Sequence, residues 1–505
     1  MGVLAVYDTI GIQSYIFSSN KLAENVGASK LVANVFDKNG LLPTVIAKCT
    51  EQSLPDWREG GKLNLSLKAE IVYQGGGNSY VVFDNEETFQ EVTKAFLIGV
   101  SSTAPGIGIA VAAIETDFSN YNSDFDKINK RLMLVKGGFD MPTFAGNQPI
   151  TKQSNRTGLP VSIFRDNEYM SYAQMKKREK YANYKEKYES SINDFENLVF
   201  EKNTDSFIAI IHADGNNMGK HIKDFMEKSC GTYEEAVPKI RELAVKIDNC
   251  YGKARERTIK SFNEAYTAYV KKLNVKYPNK QYSTQPPIFE LIGDGDDTTL
   301  VIGGRFALDF AARLLREIEK TPSPERPFEH KPTACAGVVL FHSHYPFSEA
   351  YKLAEGLCSN AKKPSRDAEG SYIDFHLHSS GNVVGLSQLR SKQYIVDGKT
   401  IIHRPWKVSA KCDCQTPSCF CWFEQHATSI SKIPRNKLKA IRNAISTGDV
   451  AANLAENQLR DYSLPKFPQP HSDEISNYAA LFDILEFHDT YVNLLNKLEV
   501  SHDNN

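Results

Sequence analysis

The chain has 505 residues, with 60 Lys and Arg against 61 Asp and Glu for a net charge of -1, which is room for about three domains, each with its own core. The even balance, with no basic tail or acidic block, excludes generic electrostatic attraction to nucleic acid or to a membrane surface. No apolar run approaches the length of a membrane span, the N-terminus "MGVLAVYDTIG" has neither the basic flank nor the long apolar core of a signal peptide, and a cytoplasmic protein is expected.

The first segment starts with a strand, Val3 to Tyr7, and continues into a helical run through Leu22, Val26, Leu31, Val35 and Phe36. A hairpin pattern follows, "AEIVYQGGGNSYVVFDN", then a helix with Phe89, Val92 and Phe96 on one face, then a strand near Ile107 to Ile114. The order β-α-β-β-α-β is that of a ferredoxin-like unit.

The second half repeats that order. It has the strand "FIAIIHAD", a helix-rich insertion over 221–285, and the hairpin "FELIGDGDDTTLVI". A helix carrying Ala307, Phe310, Ala311, Leu314, Leu315 and Ile318 comes next, then the strand "TACAGVVLF", then a helix with Ala350, Leu353, Ala354, Leu357, Cys358 and Ala361 on one face. The expected fold class is α+β: two ferredoxin-like (βαββαβ) domains packed as a pseudo-dimer, with a mainly helical C-terminal domain. The expected boundaries are 1–140, a linker with a charged helix over 141–204, 205–380, and 381–505.

In a ferredoxin-like sheet the first strand lies beside the third, so Asp214 of "HADGNNMG" is expected next to Asp296 and Asp297. Clustered carboxylates repel unless a cation balances them, and hard oxygen ligands select Mg2+ or Mn2+. Two such ions could serve an in-line displacement at phosphorus. The stretch Gly215, Asn216, Asn217 opens a helix whose free N–H groups can receive a triphosphate, and Gly295 lets the tip turn tightly against a nucleotide. Taken alone, the tip also reads as an ordinary solvated turn, since Asp and Gly are common turn residues; the carboxylate of the adjoining strand favours a metal site.

This arrangement resembles the palm domains of the large, polymerase-like "Cas ten" subunit of type III CRISPR effectors, related to GGDEF cyclases. Their hairpin carries Gly-Gly-Asp-Asp, where this chain has Asp294-Gly295-Asp296-Asp297. The opening "YDTIGIQSYIFSSNKLAENVGASKLV" is similar to that family's first palm, and "AEGLCSNAKK" to the helix after its last palm strand, so the resemblance covers roughly residues 1 to 375. It implies that Asp214, Asp296 and Asp297 hold the metals and makes Lys362 a candidate phosphate contact, against the alternative of a solvated helix-end lysine.

The sister hairpin reads Gly75-Gly76-Gly77-Asn78-Ser79, with Asp8 as its only obvious carboxylate. It is expected to bind two metals poorly and to line a nucleotide site without catalysing; the alternative is a flexible loop. In the resembled family two ATP molecules face each other and are converted to cyclic oligoadenylates, second messengers that switch on antiviral effectors. The resemblance therefore implies a magnesium-dependent nucleotidyltransferase acting on nucleoside triphosphates, ATP foremost, with a downstream effector reached through its product and no membrane partner. The second expectation is the large subunit of a ribonucleoprotein that binds guide and target RNA beside CRISPR-type subunits, its palm accessory or inactive.

That family often begins with an HD nuclease domain. Here the His-Asp doublets are His488-Asp489 and His502-Asp503 at the far C-terminus, and no such nuclease is expected. The run "CDCQTPSCFC" places Cys412, Cys414, Cys419 and Cys421 at C-x-C-x4-C-x-C spacing. Four thiolates could hold a structural Zn2+, although C-x-C is tighter than the usual knuckle; reduced or partly paired surface cysteines are the alternative. The pairs His342/His344 and His376/His378 alternate along strands and are expected to be solvent-facing or hydrogen-bonded at strand ends.

Overall fold

A computed structural model describes residues 1–138, 150–188, 194–201, 206–229, 231–379, 385–411, 419–459, 462, 464 and 473–495. Two mixed layers dominate. In the first half β1 (Gly2–Ile10), β2 (Ala69–Gly75), β3 (Asn78–Phe83) and β4 (Gly108–Thr116) form an antiparallel sheet in the order β2-β3-β1-β4. The helices α1 (Leu22–Phe36), α2 (Glu86–Thr103) and α3 (Tyr121–Gly137) accompany it. Asn85 and Asn120 accept from Thr88 N and Ser123 N, so a side chain caps the N-terminus of α2 and of α3.

After a linker helix, α4 (Tyr172–Tyr188), the same order recurs. It comprises β5 (Phe207–Gly215), α5 (Met218–Ser229), α6 (Tyr233–Lys276), β6 (Ile288–Asp294), β7 (Asp297–Gly303), α7 (Ala307–Glu319), β8 (Ala334–His342) and α8 (Phe347–Asp367). Two further strands, β9 (Ser371–His378) and β10 (Trp406–Val408), extend this sheet to the order β10-β9-β8-β5-β7-β6. Both sheets thus have the expected ferredoxin-like order. The strand β10 comes from the segment expected to be a separate helical domain. The helices Phe420–Ile430, Arg435–Ile445, Asp449–Gln458 and Ala479–Phe487 pack in one core with α7 and β9.

The halves bury each other's surfaces reciprocally. One core joins Phe17, Leu22, Val26 and Leu31 of the first half to Ile208, Ile210, Leu291 and Val301 of the second. A second core joins Leu4, Val6, Val72 and Val82 to Ala236, Val237 and Ile240 of α6. This exchange of apolar helix faces makes the pair a pseudo-dimer built from one chain.

His376 and His378 are buried, in the part of β9 beyond its pairing with β10, because Tyr394 packs on His376 and Tyr345 on His378; only the hydrogen-bonded half of the expectation holds, with Tyr394 OH 3.3 Å from His376 Nδ1. Among the described residues no helix is long and apolar enough to cross a membrane.

Candidate functional site

Strand register aligns the two hairpins residue by residue. Gly75 pairs with Asn78 and Asp294 with Asp297, so Gly75-Gly76-Gly77-Asn78 stands where the second half has Asp294-Gly295-Asp296-Asp297. Asp8 lies opposite Asn78, and Ala213 opposite Thr298, which makes Asp8 the counterpart of Asp214. Each of these aspartates meets a lysine from the helix that follows the equivalent last strand. Lys136 Nζ of α3 lies 2.8 Å from Asp8, and Lys362 of α8 is ion-paired with Asp214 while donating to Gly215 O at 3.1 Å. The first half thus keeps the Asp–Lys pair and lacks the hairpin carboxylates.

The fold brings Asp214 and Asp296 together. Burial, then the charge of Asp214 beside it, raises the Asp296 pKa. Asp297 is pushed up to about 8 by burial and by Asp214, Asp296 and Asp294. Gly215 allows this approach: a Cβ there would fall 2.7 Å from Asp296 Oδ2 and 3.0 Å from the Tyr251 hydroxyl. Asp297 Oδ1 is buried without a hydrogen bond. The nearby His212 stays neutral, its pKa lowered to about 4 by burial, and its Nδ1 stands 3.5 Å from Asp297 Oδ1. An all-oxygen set, with raised pKa values at Asp296 and Asp297 and an unpaired buried oxygen, is the chemistry that a hard divalent cation relieves. Asp214, Asp296 and Asp297 could hold one, although among the described residues no three such side chains form a closed metal site, and Lys362 is paired with Asp214.

Two cavities flank these carboxylates. The larger, about 820 Å³, lies between the halves and is lined by Gly75, Gly76, Gly77 and Asn78 on one side and Asp294, Asp296 and Asp297 on the other. Lys30 and Arg58 add positive charge, and Ser348, Tyr351, Lys352 and Glu355 present one face of α8. Ser79 is fully buried within the sheet and lies outside this lining. The smaller cavity, about 410 Å³, is lined by Asp214, Gly215, Asn216, Asn217, Lys220, Lys362 and Arg366. Asn216 serves the fold as well: its amide donates to Thr333 Oγ1 at 2.9 Å and Gly370 O at 3.0 Å. Gly295 turns the tip at φ 55°, and Asn217 opens α5 at φ 53°.

Arg255 and Asp294 bear on the site in ways that sequence reasoning missed. Arg255 of α6 grips the hairpin base, 2.8 Å from Glu290 and 3.1 Å from Gly293 O. Asp294 Oδ2 accepts from Gly77 N at 3.1 Å. Only His212 had a signal, since it shares a strand face with Asp214 two residues on. Of the cysteine cluster, Cys412 and Cys414 lie outside the described residues, and the Cys419 and Cys421 sulfurs are 3.0 Å apart.

Residues 207–369 match the family model described as Cas10/Cmr2, second palm domain. No curated protein matches the chain by sequence. Among solved structures, a Csm1–Csm4 cassette in complex with cA4 aligns over 97% of this chain and 69% of its own, at TM-score 0.55 and 11% identity. The cassette in complex with one ATP aligns over 96% and 69%, at TM-score 0.53 and 13% identity. Csm1 in T. onnurineus aligns over 96% and 69%, at TM-score 0.50 and 12% identity. At such identities the likeness is one of fold, and it extends over both halves and the C-terminal helices. The segment 207–369 is a second palm domain of the Cas10/Cmr2 type, carried in a chain whose fold is Cas10-like.

Proposed function

We propose that the chain is a magnesium-dependent nucleotidyltransferase that converts ATP, or another nucleoside triphosphate, into a cyclic nucleotide or cyclic oligonucleotide second messenger for antiviral defence. The observation that carries this reading is the contact of Asp214 with Asp296, beside Asp297, at the junction of two cavities. Magnesium or manganese held by these carboxylates would supply charge neutralisation to the reacting phosphates.

The chain's own groups account for positioning. The N–H groups opening α5, with Lys220, Lys362 and Arg366 around them, suit a triphosphate in the smaller cavity. Lys362 would exchange Asp214 for phosphate oxygens as the carboxylates take a cation. The glycine hairpin offers a second nucleotide close backbone approach across the larger cavity. The 3′-hydroxyl of that nucleotide then attacks the α-phosphorus of the other; a P–O bond forms, pyrophosphate leaves, and the hydroxyl proton passes to solvent. Catalysis on this scheme is mostly orientation and charge balance.

The test is incubation of the purified chain with ATP and magnesium, with and without any RNA that copurifies, followed by separation of products and assay of pyrophosphate. Cyclic product that vanishes in the Asp296→Ala, Asp297→Ala double variant supports the reading; bound nucleotide with no pyrophosphate in either condition overturns it.

A second reading is favoured by the solved relatives, several of which are cassettes of Csm1 with Csm4. On it the chain is the large subunit of a type III CRISPR-like ribonucleoprotein and works with guide RNA and further subunits. Expression alongside its gene neighbours and identification of what copurifies decides it. The two readings are compatible.

A further inference from the structure

Both hairpins carry the same irregularity. Pairing slips between Ile71 and Tyr73 in the first and between Glu290 and Ile292 in the second, leaving Val72 and Leu291 as bulge residues at equivalent distances from their tips. A bulge residue drops out of the ladder, so its buried carbonyl needs a partner from elsewhere.

In each hairpin that partner crosses from the other palm. Val72 O accepts from Arg241 Nε of α6 at 2.9 Å, while the same guanidinium reaches Ile71 O at 2.7 Å and Glu70 at 2.8 Å. Leu291 O accepts from the Ser29 hydroxyl of α1. The two caps differ in kind. Arg241 is locked by several acceptors in a buried pocket, whereas Ser29 is a single hydroxyl on a helix that lines the larger cavity through Ser29 itself, Lys30 and Ala33. The helix α1 therefore touches both the cavity and the root of the acidic hairpin.

We propose that Ser29 is a positioning residue: through the Leu291 carbonyl it sets the acidic hairpin, and with it Asp296 and Asp297, in register with the nucleotide face of the first palm. The proposal rests on the metal-site reading above and deepens it, assigning to the first palm a hold on the hairpin that carries the second palm's carboxylates.

The test compares the full chain with Ser29→Ala and Ser29→Thr. Amide hydrogen exchange is followed over residues 288–303 without metal or nucleotide, and Mn2+ binding is titrated by electron paramagnetic resonance. Loss of one buried hydrogen bond predicts exchange about three- to tenfold faster at the hairpin in Ser29→Ala and a similar weakening of Mn2+ binding. Ser29→Thr restores both, and the first-palm sheet is unchanged. Hairpin exchange equal to wild type in Ser29→Ala, acceleration across the whole molecule, or failure of Ser29→Thr to restore overturns the proposal. Faster exchange confined to the hairpin, in a protein that binds no Mn2+ even as wild type, upholds the positioning role and removes the metal reading instead.

Discussion

Asp294 Oδ2 accepts a hydrogen bond from the backbone N–H of Gly77 at 3.1 Å, so the tip of the acidic hairpin is fastened to the tip of its glycine counterpart. Gly77 O in turn accepts from Thr9 N at 2.9 Å and Thr9 Oγ1 at 2.7 Å, which carries the tie to β1 beside Asp8. The resembled Gly-Gly-Asp-Asp motif has glycine at the position of Asp294. The geometry makes Asp294 a bridge between the palms.

Removing that bridge is expected to slow the chemistry without unfolding the chain. Asp294 is exposed, so the bond is worth only about 1 kcal/mol. Asp294→Ala should release pyrophosphate roughly three- to tenfold more slowly than wild type, while Asp294→Asn, which keeps an acceptor for Gly77, should stay close to it. A full rate in Asp294→Ala would show that the tie does not matter.

The two Asp–Lys pairs should respond differently to loss of the lysine. Asp8 is buried, so Lys136→Met leaves an unpaired carboxylate and is expected to cost about 1 to 3 kcal/mol in urea denaturation at neutral pH. Asp214 is half-exposed, so Lys362→Met should cost less stability and instead raise the KM for ATP about tenfold, or about 1.4 kcal/mol. Equal behaviour of the two variants in both assays would contradict the asymmetric roles given to the palms.

A pH effect is expected at Asp309, fully buried and pushed up to about 7 by burial and the nearby Glu424, against the lowering influence of the Leu494 and Leu495 N–H groups. A carboxyl whose folded pKa lies above its unfolded value favours the neutral form in the fold. Its contribution is therefore complete below about pH 4 and is lost as pH rises through 7, by roughly 2 to 4 kcal/mol. Asp309→Asn keeps an acceptor oxygen and cannot ionise. It should match wild type near pH 4 and exceed it by roughly 2 to 4 kcal/mol at pH 8; an unchanged pH slope would rule this group out.

If Cys412, Cys414, Cys419 and Cys421 hold zinc, elemental analysis of protein purified without chelator should return one zinc per chain, released when the thiols are blocked. Four freely titrating thiols with no metal would assign them to the reduced alternative.

Much of this was legible because strand patterns constrain neighbours. Two rounds of β-α-β-β-α-β fix which strand lies beside which, and that alone places Asp214 next to the Asp296 hairpin. The same alternation separates Asn78, which faces the cavity, from Ser79, which points into the sheet, a distinction that grouping Gly75 to Ser79 as one loop overlooked. The contacts of Ser29, Arg241 and Arg255 were not legible. Those of Ser29 and Arg241 depend on where a helix of one palm crosses a strand of the other, more than 160 residues away in sequence, as in Arg241 to Val72, and that of Arg255 on where the long α6 passes the hairpin of its own palm; no local periodicity encodes either. The burial of His376 and His378 was hidden likewise, since it follows from Tyr394 and Tyr345 packing against them.

Joining the two palms in one chain has a consequence for how they can diverge. In a symmetric homodimer every substitution appears in both halves, so a carboxylate lost from one hairpin is lost from its mate. Here Gly75-Gly76-Gly77-Asn78 can be free of acids while Asp294-Gly295-Asp296-Asp297 carries three. Tethering also holds the halves at a fixed local concentration, so pairing does not fall off on dilution. A cell holding few copies of the chain would have as large a share of paired sites as one holding many.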